Sequence, residues 1–378
     1  MSGMSFRYTK RRLWAGICLL GSLCFGLAAV SCGPYQPEEP EGPDYFDLNI
    51  PTYFPTDVHV PADNPLSVQG VNLGRYLFYD GRVSGHSDPA AWRSCATCHL
   101  QAHAFEGGLD YAAPTPHAML PLFNVAFNNV RYHWSGDTDS LERLIYLALT
   151  DPNEINGHPD SITARIAAIP FYNDMFAAAF GQVAPGAPVV TIDRICKAIA
   201  QFARTIVSAN SKFDRYVRGE TTLTDEEMKG YLLFTTEEGA DCFHCHGGGG
   251  NMLFTTYGFA NNGLDPDSLY HDAFDRASVT GKAADKGVYR IPTLRNIEYT
   301  APYMHDGRFK TLEEVIDQYS EGVHYAPNIS PLMHHVTDGG VQLTEPEKQA
   351  LKAFLLTLSD PGLLTDPSLS KPQDGRLP

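Results

Sequence analysis

With 378 residues, 43% of them hydrophobic, the chain is long enough for two domains that each bury a core. It carries 28 Lys and Arg against 44 Asp and Glu, a net charge of −16. A surface that acidic excludes nucleic acid as a partner and repels anionic lipid headgroups.

In chain order, Arg7, Lys10, Arg11 and Arg12 precede a mostly apolar run from Leu13 to Val30, which closes on small residues, Ala28-Ala29-Val30-Ser31-Cys32. Residues 1–32 read as an export signal, with Cys32 as a lipobox cysteine that is lipidated after cleavage. The alternative is an uncleaved membrane anchor, because the run is close to the ~17 residues a spanning helix needs. Either reading places the body of the chain outside the cytoplasm, in the periplasm or cell envelope. Residues 33–50, with Pro34, Pro37, Pro40 and Pro43 among glutamates, predict a flexible tether.

Beyond the tether, Gly74-Arg75-Tyr76-Leu77-Phe78 leads to Cys95-Ala96-Thr97-Cys98-His99, and Gly230-Tyr231-Leu232-Leu233-Phe234 leads to Cys242-Phe243-His244-Cys245-His246. Each C-x-x-C-H offers two thiols that add to the vinyl groups of one haem and a histidine for its iron. G-x-x-L-F recurs at the same place before each, so the chain contains an internal repeat. The division that follows is an N-terminal haem domain over 51–218, a C-terminal haem domain over 219–362 and an irregular tail over 363–378. Helical periodicity appears at 140–150, 160–180, 191–209, 224–235, 311–320 and 344–358, with long Gly/Pro/Asn-rich connections such as 247–270. Alternating strands are scarce. The expectation is an all-α fold of two cytochrome c-like haem domains in tandem, with long loops and with haem replacing much of the core.

Cysteine usage agrees. Of eight cysteines, Cys18 and Cys24 lie in the leader, Cys32 is the lipid site and four are taken by haem, which leaves Cys196 and no disulfide framework. Cys196 sits on an apolar helix face with Phe202 and Ile206 and reads as a buried, inert thiol. Without the four basic residues of its leader the chain carries 24 positive and 44 negative side chains, −20, a balance that suits a basic electron-donor protein as well as it suits plain solubility.

Leu73-Gly74-Arg75-Tyr76-Leu77-Phe78-Tyr79-Asp80, Ser208-Ala209-Asn210-Ser211-Lys212-Phe213-Asp214, Pro292-Thr293-Leu294-Arg295-Asn296 and Ala301-Pro302-Tyr303-Met304-His305-Asp306-Gly307 together resemble the bacterial dihaem cytochrome c peroxidases and their MauG-like relatives, over roughly residues 65 to 360. The resemblance implies that His99 holds a peroxidatic haem and His246 an electron-transfer haem. It places Tyr319 at the sixth position of the second iron, where peroxidases have methionine and MauG-like proteins tyrosine; Met304 or Met333 is the alternative ligand. It makes Glu154 the distal proton carrier, puts Leu144 where a glutamine commonly assists it, and sets Trp134 between the haems. A calcium ion would be held by the carbonyls of Thr300 and Pro302, with Ala118 where the family has an asparagine. His103 and His117 are loop histidines, propionate contacts or resting-state ligands of the first haem, and His244 is structural. The implied activity is reduction of hydrogen peroxide to water with electrons from a small cytochrome c or cupredoxin, by a protein that forms a homodimer. The alternatives are a MauG-like oxidase that turns a high-valent haem state on a protein or organic substrate, and a dihaem electron carrier without catalysis.

Overall fold

The computed structural model describes residues 44–109, 117–248, 250–269 and 273–378. The export signal over 1–32, its Cys32 and most of the tether expected over 33–50 lie outside the described residues. No helix among the described residues is long and apolar enough to cross a membrane.

The chain is mostly helical. Its helices are α1 (Val68–Tyr79), α2 (Cys95–Cys98), α3 (Leu141–Thr150), α4 (Pro159–Ala167), α5 (Pro170–Phe180), α6 (Ile192–Arg204), α7 (Lys212–Val217), α8 (Asp225–Phe234), α9 (Phe243–His246), α10 (Arg276–Thr280), α11 (Leu312–Glu321) and α12 (Glu345–Leu356). Two short strands, β1 (Phe259–Ala260) and β2 (Tyr289–Arg290), pair antiparallel with Phe259 opposite Arg290. Helices start where a short polar side chain can take a free amide. Ser67, Ser140, Thr191, Thr224 and Thr311 each accept from the amide three residues on. Glu227 and Glu314 return the bond to the amide of the capping residue.

Two helices differ from expectation. The single helix predicted over 160–180 is two, because Pro170 has no amide proton to continue α4 and instead opens α5. The helix predicted over 191–209 stops at Arg204, although its apolar side continues to the buried Ile206.

Two hydrophobic cores form. In the first, α1 crosses α6 around Leu73, Leu77, Phe78, Ile199 and Phe202; in the second, α8 crosses α12 around Phe234, Phe254, Leu351 and Phe354. The glycine of G-x-x-L-F brings both crossings to backbone contact. A Cβ on Gly74 would lie 1.9 Å from the carbonyl oxygen of Ala198 and 2.9 Å from Phe202 Cβ. A Cβ on Gly230 would lie 1.9 Å from the carbonyl oxygen of Ala350 and 2.8 Å from Phe354 Cβ. The repeat in the sequence is therefore a repeated helix crossing, glycine against A-x-x-x-F.

The ends of the described chain cross between the cores. Phe54 is buried in the second core, whereas Leu363 and Leu369 are buried in the first. The stretch 363–378 contains no α-helix. Side chains of the first half nevertheless hold it: Arg75 Nε donates to Ser370 O at 2.6 Å, the Tyr79 hydroxyl to Leu369 O at 2.7 Å, and Gln101 Nε2 to Asp366 O at 2.9 Å.

A buried polar seam joins 208–214 to 292–296. Arg295 and Asp214 are both fully buried and pair with each other, and Arg295 also donates to Met252 O at 2.8 Å. Asn296 Nδ2 donates to Ser208 Oγ at 2.9 Å, and its Oδ1 accepts from the Asp360 amide at 2.8 Å. Asp360 Oδ2 in turn accepts from the Asn210 amide at 3.0 Å.

Candidate functional site

Each C-x-x-C-H lies on a single helical turn. In the first half the His99 amide donates to Cys95 O at 2.8 Å, and in the second the His246 amide donates to Cys242 O at 3.0 Å. Beyond each histidine the chain folds back to a phenylalanine with positive φ, Phe105 (61°) and Phe254 (50°). Their carbonyls face the imidazoles. His99 Nδ1 lies 2.9 Å from Phe105 O; His246 Nδ1 lies 3.4 Å from Phe254 O and 3.1 Å from Pro292 O. A carbonyl only accepts, so Nδ1 carries the proton and Nε2 keeps its lone pair for a metal, the arrangement by which an outer carbonyl orients a ligating histidine. Burial lowers the pKa of both rings, that of His246 to about 4, which keeps them in the neutral form that ligates. The Cys95 and Cys242 thiols are pushed up to about 12, chiefly by burial. Cys196 is also buried and pushed up to about 12, as an inert thiol should be.

A large cavity, with about 1730 Å³ of space free of protein atoms and partly open to solvent, surrounds the second signature. Cys242, Cys245 and His246 line it, and so do Tyr319, Met304, Met333, Asn262 and Trp134. Two attachment thiols, a neutral histidine with a free Nε2 and apolar walls fit a covalently held haem. Tyr319 is half-buried at the cavity wall; desolvation pushes its phenol up to about 12, while Asn262 Nδ2 donates to the phenol oxygen at 2.9 Å and opposes that rise. A donor aimed at the oxygen stabilises phenolate, the form in which tyrosine ligates ferric iron. The same Nδ2 stands 3.9 Å from Met304 Sδ, so Asn262 touches two of the three ligand candidates.

Glu154 belongs to the first signature. Arg93, two residues before Cys95, donates from Nη1 to the carbonyls of Asn153 and Glu154, both at 2.9 Å. The Gly85 amide donates to Ile155 O at 3.0 Å, and a Cβ on Gly85 would sit 1.4 Å from Asn156 O, so no other residue lets the loop this close. Burial holds the Glu154 carboxyl above its ordinary range; His133 pulls it partly back and Asp151 adds to the rise. Its charge also acts on the Cys95 thiol. His133 and Trp134 are adjacent: the first acts on Glu154 and the second lines the cavity of His246. Trp134 is fixed there by its Nε1, which donates to Ala118 O at 2.8 Å.

The remaining residues fall as follows. Leu144 packs on the first core. His103 is exposed, and His117 packs edge-on against Tyr289 and His305 at the wall of the second cavity. Thr300 and Pro302 line that cavity, but Ala118 has no side-chain oxygen and its carbonyl already accepts from Trp134. The other oxygens of a calcium sphere would have to come from water or backbone. His244 turns to Asp241 at 2.7 Å. Sequence reasoning missed Arg93, His133 and Asn262. The last lies in Asn261-Asn262-Gly263, which reads only as a turn.

Comparison with known proteins extends this geometry. A family model described as di-haem cytochrome c peroxidase matches residues 68–222. The methylamine utilization protein MauG of Methylorubrum extorquens is 35% identical over 324 residues, 83% of this chain and 85% of that one. The cytochrome c551 peroxidase of Nitrosomonas europaea is 32% identical, over 68% of this chain and 75% of that one. Among solved structures, a MauG-like protein associated with microbial copper homeostasis superposes with a TM-score of 0.75 at 35% identity, covering 86% of this chain and 99% of that one. Such a relationship implies two c-type haems and oxidoreductase chemistry. The chain belongs to the di-haem cytochrome c peroxidase family, whose members include both cytochrome c peroxidases and MauG.

Proposed function

We propose that the protein is an exported dihaem peroxidase of two tandem haem domains, 51–218 and 219–362, lipid-anchored at Cys32 in the cell envelope. It reduces hydrogen peroxide to water: H₂O₂ + 2 H⁺ + 2 e⁻ → 2 H₂O. When bound, the haems supply redox-active iron for this reduction. Cys95, Cys98 and His99 hold the first, and Cys242, Cys245 and His246 hold the second. The electrons come from a small cytochrome c or cupredoxin.

Glu154 is the observation that carries this reading. Breaking the O–O bond heterolytically requires a proton to move from the inner to the outer oxygen, and a half-buried carboxyl with a raised pKa can accept it and return it. Arg93 and Gly85 hold the backbone of the loop that carries this carboxyl, which supports this role, and an electron carrier would have no use for it. Steady-state turnover of peroxide by the holoenzyme with reduced cytochrome c or cupredoxin is expected; no turnover from either the oxidised or the half-reduced enzyme would overturn the proposal.

A second reading is favoured by Tyr319 with its donor Asn262. An anionic oxygen ligand lowers the potential of the second haem relative to a thioether and fits an oxidase that acts on a protein or organic substrate, as the kinship with MauG suggests. Peroxide consumed without a donor, in proportion to oxidation of an added substrate, would select it. An unchanged low-spin spectrum in Tyr319→Phe would remove Tyr319 as the ligand.

A further inference from the structure

Beside the second signature, where Asp241 and His334 also line the cavity of His246, three side chains converge that have no part in attaching either haem. Asp241 has a positive φ of 55° and a carboxylate with only 5% of its surface exposed. Its Oδ1 is 2.7 Å from His244 Nδ1 and its Oδ2 is 2.9 Å from His334 Nδ1. The ligating atoms of the three residues all lie within 4.8 Å of one another. His244 and His334 come from segments far apart in the chain, their rings nearly perpendicular at 86° with centroids 5.0 Å apart.

We propose that Asp241, His244 and His334 form a binding site for a divalent first-row transition ion at the rim of the second haem cavity. Three observations support it. The donor set of two imidazole nitrogens and one carboxylate oxygen suits Cu²⁺, Ni²⁺, Zn²⁺ or Fe²⁺ and does not suit Ca²⁺ or Mg²⁺. The two O···N separations, made through different oxygens of the carboxylate, are close to the about 2.9 Å at which donors about 2.0–2.1 Å from a common ion stand when at a right angle. Among the described ion pairs, the partners of this nearly buried carboxylate are the two imidazoles, with no lysine or arginine beside it. A divalent ion would set a full positive charge against that carboxylate.

In the bound state each ring ligates through Nδ1 and carries its proton on Nε2. For His244 that Nε2–H faces Glu237 Oε1, 3.6 Å away, as the outer carboxylate that commonly orients a ligating imidazole. The exposed side of His334 leaves room for water to complete the coordination sphere. His244 stands between Cys242 and Cys245, so the ion sits against the attachment loop of the second haem.

The test uses tag-free holoprotein, stripped with a chelator and dialysed against Cu²⁺ alone or Zn²⁺ alone, with metal and haem counted per chain. One ion per chain is expected, Cu²⁺ tighter than Zn²⁺, with nitrogen hyperfine structure in the Cu²⁺ paramagnetic resonance spectrum. Glu237→Gln should weaken binding about 10–100-fold, and His334→Ala, on an exposed loop, should weaken it further with haem content retained. No stoichiometric ion in the wild-type protein, or equal affinity in His334→Ala, would overturn the site.

Discussion

The two halves repeat each other in backbone and differ in what they bring to the histidine. Gly74 and Gly230 make the same helix crossing, and Phe105 and Phe254 offer the same carbonyl to His99 and His246. The first half adds a half-buried carboxyl, Glu154, on a loop tied down by Arg93; the second adds a phenol, Tyr319, with a donor of its own. Attachment is the repeated part because it depends on short-range backbone geometry. Chemistry is the divergent part because it comes from loops that the repeat does not govern.

Glu154→Gln should break the comparison most sharply: peroxide turnover should fall about 10²–10⁴-fold, while the spectrum of the second haem stays as it was. Arg295→Met should instead damage both halves together, leaving Asp214 buried without its partner at a cost of about 3–5 kcal/mol in urea unfolding. Gly74→Ala and Gly230→Ala should each cost about 1–3 kcal/mol or more by overpacking, in similar amounts if the crossings are equivalent; a large inequality in their unfolding midpoints would show that they are not. The smallest effect is one of pH. A carboxyl with a raised pKa stays protonated to higher pH, so as the pH falls the base is lost earlier than for an ordinary glutamate, and kcat/KM should decline on an acid limb above the usual carboxylate range. His133→Asn removes a charge that holds this pKa down and should move the limb upward.

The signatures, most helices and the repeat were legible because each depends on neighbours in sequence: caps, periodicity and fixed spacing. The break at Pro170 was legible in principle, and the apolar pattern on both sides hid it. Asn262 and Arg93 were not legible, since their partners, Tyr319 and the carbonyls of Asn153 and Glu154, are far along the chain and a carbonyl has no sequence signature. Composition marked 363–378 only as irregular. It could not reveal that Leu363 and Leu369 fill the first core, because two leucines among prolines have no period.

That last contact sets an order of assembly. A ribosome delivers residues 68–217 well before residues 363–378, yet the core around Leu73 and Phe78 is closed by leucines from the final stretch. The half that is made first is therefore completed last. Until residues 363–378 arrive, the apolar surface that Leu363 and Leu369 cover stays open, on the core against which Cys95 and Ala96 also pack.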